Sequence, residues 1–264
     1  MTASLVVSTV QMESTPDPEE NLKKSLSMIG KAADTGAGLA IFPEYQMMVP
    51  DFQEPGRNSS SQMSARFFEA MASESARRNL AIIINYWEYG NKRPYNASVL
   101  LQGGKELYRY RKIHLYDAAG KKESSTFLAG EPEPRTHTFS GFRMGTAICY
   151  DIRFPELTQR YMRDGIDLLV VQAGWYGGEG KLDSWISILR TRAIETGCFV
   201  VAAAQCGPLF SGHSAVFDPY GRILAEAPDG EGVITATVSH EVIDRYRITY
   251  PLAEQKRINC GKTG

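Results

Sequence analysis

The chain has 264 residues, a formal net charge of -1 at pH 7 and a pI near 6.5, so it lacks the basic excess that a nucleic-acid or other polyanionic partner requires. No apolar run approaches the roughly 20 residues of a membrane helix, and no basic stretch followed by an apolar segment opens the N-terminus. Cysteines 149, 198, 206 and 260 show neither CxxC spacing nor a paired framework, which fits a cytoplasmic protein with reduced thiols acting on a small neutral or weakly charged molecule.

In chain order, the first β-rich run is Leu5–Val10, and Pro18–Ala33 follows with Leu22, Leu26 and Ile29 at helical intervals. Leu39–Phe42 reads as a strand, Ala65–Asn79 as a helix, and Ala81–Tyr86, Ala97–Leu101 and Glu106–Tyr110 as further strands, with Gly103-Gly104 turning between the last two. Phe142–Ile148 leads to a helix over Pro155–Asp164, then Leu168–Gln172, a helix over Leu182–Thr196 and Phe199–Ala204. Ala215–Phe217 precedes a tight turn at Asp218-Pro219-Tyr220-Gly221, and Val233–Val238 is the last strand. Several strands are continuous in Ile, Val, Leu and Ala, as expected of strands covered on both faces. The mixture predicts an α/β fold with two sheets face to face and helices outside. No linker or charge block divides the chain, so residues 1–258 are expected to form one domain, with 259–264 a mobile tail.

Chemistry concentrates in three segments. Gly145-Thr146-Ala147-Ile148-Cys149-Tyr150-Asp151-Ile152-Arg153-Phe154-Pro155-Glu156 places a cysteine where a strand stops and a helix is expected just beyond. Such a junction presents a nucleophile, and free N–H groups there can lower a thiol's pKa and receive an oxyanion. Upstream, Phe42-Pro43-Glu44-Tyr45 and Tyr110-Arg111-Lys112-Ile113-His114-Leu115 each follow an apolar run. A nucleophile, a base and a fixed positive charge suffice for amide hydrolysis without a metal. Taken singly, each residue has a plainer reading: a buried inert thiol, a solvated loop glutamate, an exposed basic edge.

The order Glu44, Lys112, Cys149 resembles the nitrilase superfamily of carbon-nitrogen hydrolases over nearly the whole chain, from Val6-Val7-Ser8-Thr9-Val10-Gln11 to His213-Ser214-Ala215-Val216-Phe217-Asp218-Pro219-Tyr220-Gly221. The resemblance implies a four-layer α-β-β-α sandwich, a Glu-Lys-Cys triad, no cofactor, no metal, and a homodimer or larger homo-oligomer. It implies that Glu44 takes the thiol proton and that Lys112 and the backbone N–H of Tyr150 hold the oxyanion. A second glutamate, matched by Glu123, orients the lysine. Tyr45 and Trp175 are candidate pocket walls. Cys149-Tyr150-Asp151 is similar to amidase branches that include omega-amidase and deaminated glutathione amidase, whereas Gly178–Trp185 departs from their Gly-Pro-Ala-His-Trp pattern.

The expected function is therefore hydrolysis of small linear amides through a thioester. N-carbamoyl amine hydrolysis and nitrile hydrolysis are the alternatives, and a non-catalytic binding role fits least. Cys198 and Cys206 read as core thiols. His114, two residues from Lys112, is a remote candidate for a Cys-His dyad, although papain-like signatures are absent. No histidines stand at metal-ligand spacing, and Gly177-Gly178-Glu179-Gly180-Lys181-Leu182 has leucine where a phosphate loop needs Ser or Thr. Arg153 and Glu156 are expected to share a helix and pair. Asn96-Ala97-Ser98 matches a glycosylation sequon by chance.

Overall fold

A computed structural model describes residues 3–54, 59–90 and 93–257; the tail expected over 259–264, with Cys260, lies outside them. The first sheet contains β1 (Ser4–Gln11), β2 (Leu39–Ile41), β3 (Ala81–Glu88), β4 (Tyr95–Gln102), β5 (Lys105–Arg111) and β12 (Gly232–Ser239), in the order β12-β1-β2-β3-β4-β5. The second contains β6 (His137–Phe139), β7 (Phe142–Ile148), β8 (Leu168–Ala173), β9 (Phe199–Ala204), β10 (Ala215–Phe217) and β11 (Ile223–Glu226), in the order β11-β10-β9-β8-β7-β6. Each sheet has three central parallel strands, β1-β2-β3 and β7-β8-β9, and antiparallel strands outside them.

The unbroken apolar runs reflect coverage on both faces. Val7, Leu39, Ile41 and Ile83 of the first sheet meet Met144, Leu168, Val170 and Val201 of the second in a core between the sheets. The opposite face of the first sheet buries Met28 and Ile29 of α1 (Pro18–Asp34) and Phe67 and Met71 of α2 (Ser61–Arg78). The opposite face of the second buries Leu157 and Tyr161 of α3 (Pro155–Arg163) and Trp185 and Leu189 of α4 (Lys181–Thr196). The layers thus run α-β-β-α, and α5 (His240–Thr249) and α6 (Leu252–Gln255) follow β12. No helix among the described residues is long and apolar enough to cross a membrane.

Helix ends are set locally. The Asp17 carboxylate accepts from the N–H of Glu19 at 2.9 Å and caps α1, and Asn79 closes α2 in the left-handed conformation. At the junction after β7, Cys149–Arg153 form a 3-10 turn, Phe154 is extended, and α3 begins at Pro155, where the sequence places it. Arg153 and Glu156 therefore do not share a helix.

At the sheet edges, the His137 imidazole of β6 stacks on the Tyr108 ring of β5, with centroids 4.0 Å apart, and neither ring nitrogen has a partner. Burial pulls His137 down from its ordinary 6.5 to about 4. The unfolded chain thus binds this proton first as pH falls, so the stability held above pH 6.5 is lost on the way to pH 4, up to about 3 kcal/mol. His137→Phe keeps the stack and is expected to flatten this part of the acid limb, measured as denaturation midpoints across that range. An unchanged acid limb would show that His137 does not carry it.

Candidate active site

The parallel strands end on one side of the sandwich, the side where α/β sheets commonly collect their functional loops. Glu44 lies just beyond β2, Lys112 directly follows β5, Cys149 directly follows β7, and Gly174 directly follows β8. Four chain segments apart in sequence are thereby brought to one place.

Glu44, Lys112 and Glu123 form a cluster with side chains fully excluded from solvent. Lys112 Nζ donates to Glu44 Oε1 at 2.8 Å and to Glu123 Oε2 at 2.7 Å. Asn96 Nδ2, at the start of β4, donates to Glu44 Oε1 at 2.8 Å and to Glu123 Oε1 at 3.1 Å. The N–H of Gly174 supplies Glu44 Oε2 at 2.8 Å, and the N–H of Tyr116 supplies Glu123 Oε2 at 2.6 Å. Every carboxylate oxygen of the cluster therefore has a donor, the condition under which buried charge persists. Glu123 begins a 3-10 turn and is buried, rather than standing on the surface beside Lys121 and Lys122.

Burial alone would pull the Lys112 ammonium down, but Glu123 and Glu44 outweigh it and hold the ammonium well above the ordinary lysine value. Burial pushes the Glu44 carboxyl up against the pull of Lys112. Burial also pushes the Cys149 thiol well up, and the Glu44 carboxylate raises it further while Lys112 opposes both. This corrects the expectation of a thiol acidified by helix N–H groups: Cys149 rests as a thiol and needs a base at the moment of attack. Cys149 itself adopts φ 48°, and Tyr45, beside Glu44, adopts φ 58°. Side-chain-bearing residues seldom hold such angles unless their surroundings impose them.

A narrow cleft opens over Cys149. Tyr45, Tyr150 and Trp175 line it, together with Tyr116, Tyr176, Arg153 and Lys181. The Tyr116 ring meets Tyr150 edge-on at 5.0 Å and stacks on Tyr176 at 5.9 Å, forming an aromatic rim. The Arg153 guanidinium lies 4.6 Å from the Trp175 ring centroid. Trp175 Nε1 donates to the carbonyl of Lys181 at 2.9 Å, tying the rim to the first residue of α4. The stretch Gly178–Trp185 is accordingly only partly a loop, and Trp185 is buried with its Nε1 on the carbonyl of His213.

Other candidates fall elsewhere. Cys198 and Cys206 are buried, with thiols pushed by burial to about 12 and about 11. His114 is not paired with Cys149; its Nδ1 lies 2.8 Å from Asp151 Oδ1. Asn96 was set aside as part of a chance sequon, yet it is the donor shared by both glutamates; an asparagine opening an apolar strand was the only signal in the sequence. Among the described residues, no group of three or more His, Cys, Asp or Glu is placed to hold a metal ion.

The sandwich, with a cysteine held beside a buried acid and ammonium, belongs to the class of enzymes that hydrolyse carbon-nitrogen bonds. The carbon-nitrogen hydrolase family model matches residues 6–248, and the chain is a member of that family. It is 32% identical over 241 residues to the deaminated glutathione amidase of Escherichia coli O157:H7, covering 90% of this chain and 92% of that protein. The NitFhit protein of C. elegans superposes with a TM-score of 0.86 at 26% identity, over 97% of this chain and 66% of that one. The same fold occurs in an amidase mutant from Nesterenkonia sp. AN1 whose active-site cysteine carries the acetamide moiety of fluoroacetamide (TM-score 0.84, 23% identity, 97% and 95% coverage).

Proposed function

We propose that this enzyme hydrolyses small linear amides to carboxylate and ammonia, without a metal, through a thioester on Cys149. The observation that carries the reading is the fully buried Glu44–Lys112–Glu123 cluster beside a cysteine at the floor of a cleft. Glu44 takes the thiol proton as Sγ attacks the amide carbon, and a carboxyl that burial favours in its neutral form suits that task. Lys112, kept charged and oriented by Glu123, and the N–H of Tyr150 receive the oxyanion. Glu44 returns the proton to the leaving nitrogen, and the C–N bond breaks to release ammonia. Water, deprotonated by Glu44, then attacks the thioester carbonyl; the C–S bond breaks and the proton returns to sulfur. Homo-oligomer formation and a cytoplasmic location belong to the same reading.

Arg153 and Lys181 add positive charge to a cleft whose other lining residues are uncharged at rest, favouring an acyl chain with an anionic far end. The relatives' name makes deaminated glutathione the first amide to try. The deciding experiment follows ammonia release from that compound, dicarboxylate monoamides, uncharged amides, carbamoyl amines and matching nitriles, with Cys149→Ala as the blank. Amides are expected to outrun their nitriles, and Arg153→Met to raise KM for anionic amides by about tenfold or more, the worth of a charge-assisted hydrogen bond, with little effect on uncharged ones. Faster Cys149-dependent turnover of nitriles would overturn the amide reading, and preferential turnover of carbamoyl amines would replace it with the carbamoyl alternative.

A further inference from the structure

Two residues beyond Lys112 stands His114, and two residues beyond Cys149 stands Asp151. The second residues of both segments meet: His114 Nδ1 lies 2.8 Å from Asp151 Oδ1, and the His114 backbone N–H donates to the same oxygen at 2.9 Å. The other oxygen, Asp151 Oδ2, accepts from the N–H of Ile148 at 3.0 Å and from the Tyr110 hydroxyl at 2.7 Å. The Asp151 side chain is fully buried, whereas the His114 imidazole is 31% exposed. Phe154 stacks on that imidazole with centroids 3.8 Å apart and planes 9° apart, fixing its rotation.

We propose that His114 is a positioning residue that, by latching onto Asp151, sets the distance and angle between the Lys112 ammonium and the Cys149 thiol. This rests on the roles proposed above for Lys112 and Cys149. One carboxylate grips both strand ends: it holds Ile148, the residue before the nucleophile, and through His114 and Tyr110 it holds the chain on both sides of Lys112. An ionised Asp151 only accepts hydrogen bonds, so the imidazole presents a proton on Nδ1 to it, assigned from that partner. Cys149 sits at φ 48°, where its backbone relaxes if the turn is not clamped. A latch of this kind acts on the rate of attack rather than on substrate affinity, because a displacement of about 1 Å at a reacting pair costs up to about a hundredfold.

The test compares three replacements in the intact enzyme. His114→Asn places an amide N–H where Nδ1 stood, His114→Gln places it nearer the Nε2 position, and His114→Ala removes it. The readouts are alkylation of Cys149 by iodoacetamide, mapped by mass spectrometry, kcat and KM for the fastest amide found in the substrate panel, and Tm. The expected result is a loss of about tenfold to a hundredfold in Cys149 alkylation and kcat for His114→Ala and His114→Gln, with KM little changed. His114→Asn should recover most of it. If His114→Ala does not fold, the Asn and Gln variants decide the matter between them. Near-normal alkylation in His114→Gln, or equal losses in His114→Asn and His114→Gln, would overturn the latch. Retained turnover in Cys149→Ala would instead overturn the triad, whereas an inactive Cys149→Ala beside a fully active His114→Gln removes the latch alone.

Discussion

Replacing Cys149 by alanine is expected to reduce amide turnover to background, a loss on the order of 10⁴-fold to 10⁶-fold, as for other covalent nucleophiles. The fold should survive, because alanine removes a single sulfur and tolerates φ 48° no worse than cysteine does. Cys149→Ser should be equally inactive in acylation, since a hydroxyl is a far weaker acid than a thiol already held up by burial and Glu44. Cys198→Ser and Cys206→Ser should keep turnover, their thiols being buried and unreactive. Mass spectrometry with a slow amide reads the outcome directly: an acyl adduct on Cys149 is expected, and one on Cys198 or Cys206 would remove the nucleophile assignment.

The second large effect is expected at Lys112. Lys112→Met keeps most of the volume but leaves Glu44 and Glu123 facing each other without the ammonium that both now share. Activity should fall about a hundredfold or more, the common cost of one oxyanion donor, and stability by about 3–5 kcal/mol, the cost of breaking a buried ion pair. The sign of the pH dependence follows from the charge. Lys112 lowers Glu44 against burial, so its loss raises the folded-state value further above the unfolded one. The variant's deficit relative to wild type should then be smallest in mild acid and grow as pH rises through the raised value. Denaturation at pH 5 and pH 8, with kcat/KM beside it, checks both. Glu44→Gln removes the base at constant volume, and rapid acylation in that variant would assign the proton transfer elsewhere.

Much of this architecture was legible because burial on both faces leaves a plain imprint. The runs at Ala81, Leu168 and Phe199 are apolar without alternation, and the helices from Pro18 and Lys181 show their spacing and ends. The strands from His137 and Ile223 escaped because they are short sheet-edge pieces with mixed exposure, and the helix from His240 because it buries only Ile243 and Tyr246. Glu44, Lys112 and Cys149 could be found through their flanking motifs. Asn96, Gly174 and Asp151 could not, because their roles exist only after strand pairing brings them to groups 52, 130 and 37 residues away. Tyr116 escaped for the same reason: it meets Tyr176 across the cleft from a segment on the opposite side of the Cys149 turn.

Gly174 limits how this site can change by descent. Its N–H supplies Glu44, and a Cβ there would fall 2.6 Å from the Tyr45 ring, so its bare α-carbon serves both contacts. Tyr45 cannot easily retreat, because its N–H is held by Asn85 Oδ1 and its ring, apart from the edge that lines the cleft, is buried. In a library randomised at position 174 alone, glycine should be the sole survivor of selection for turnover. Randomising positions 45 and 174 together should admit alanine at 174 only beside a smaller residue at 45. The wall of the cleft and the orientation of its acid are therefore inherited as a unit, and a lineage that reshapes one must pass through a paired change.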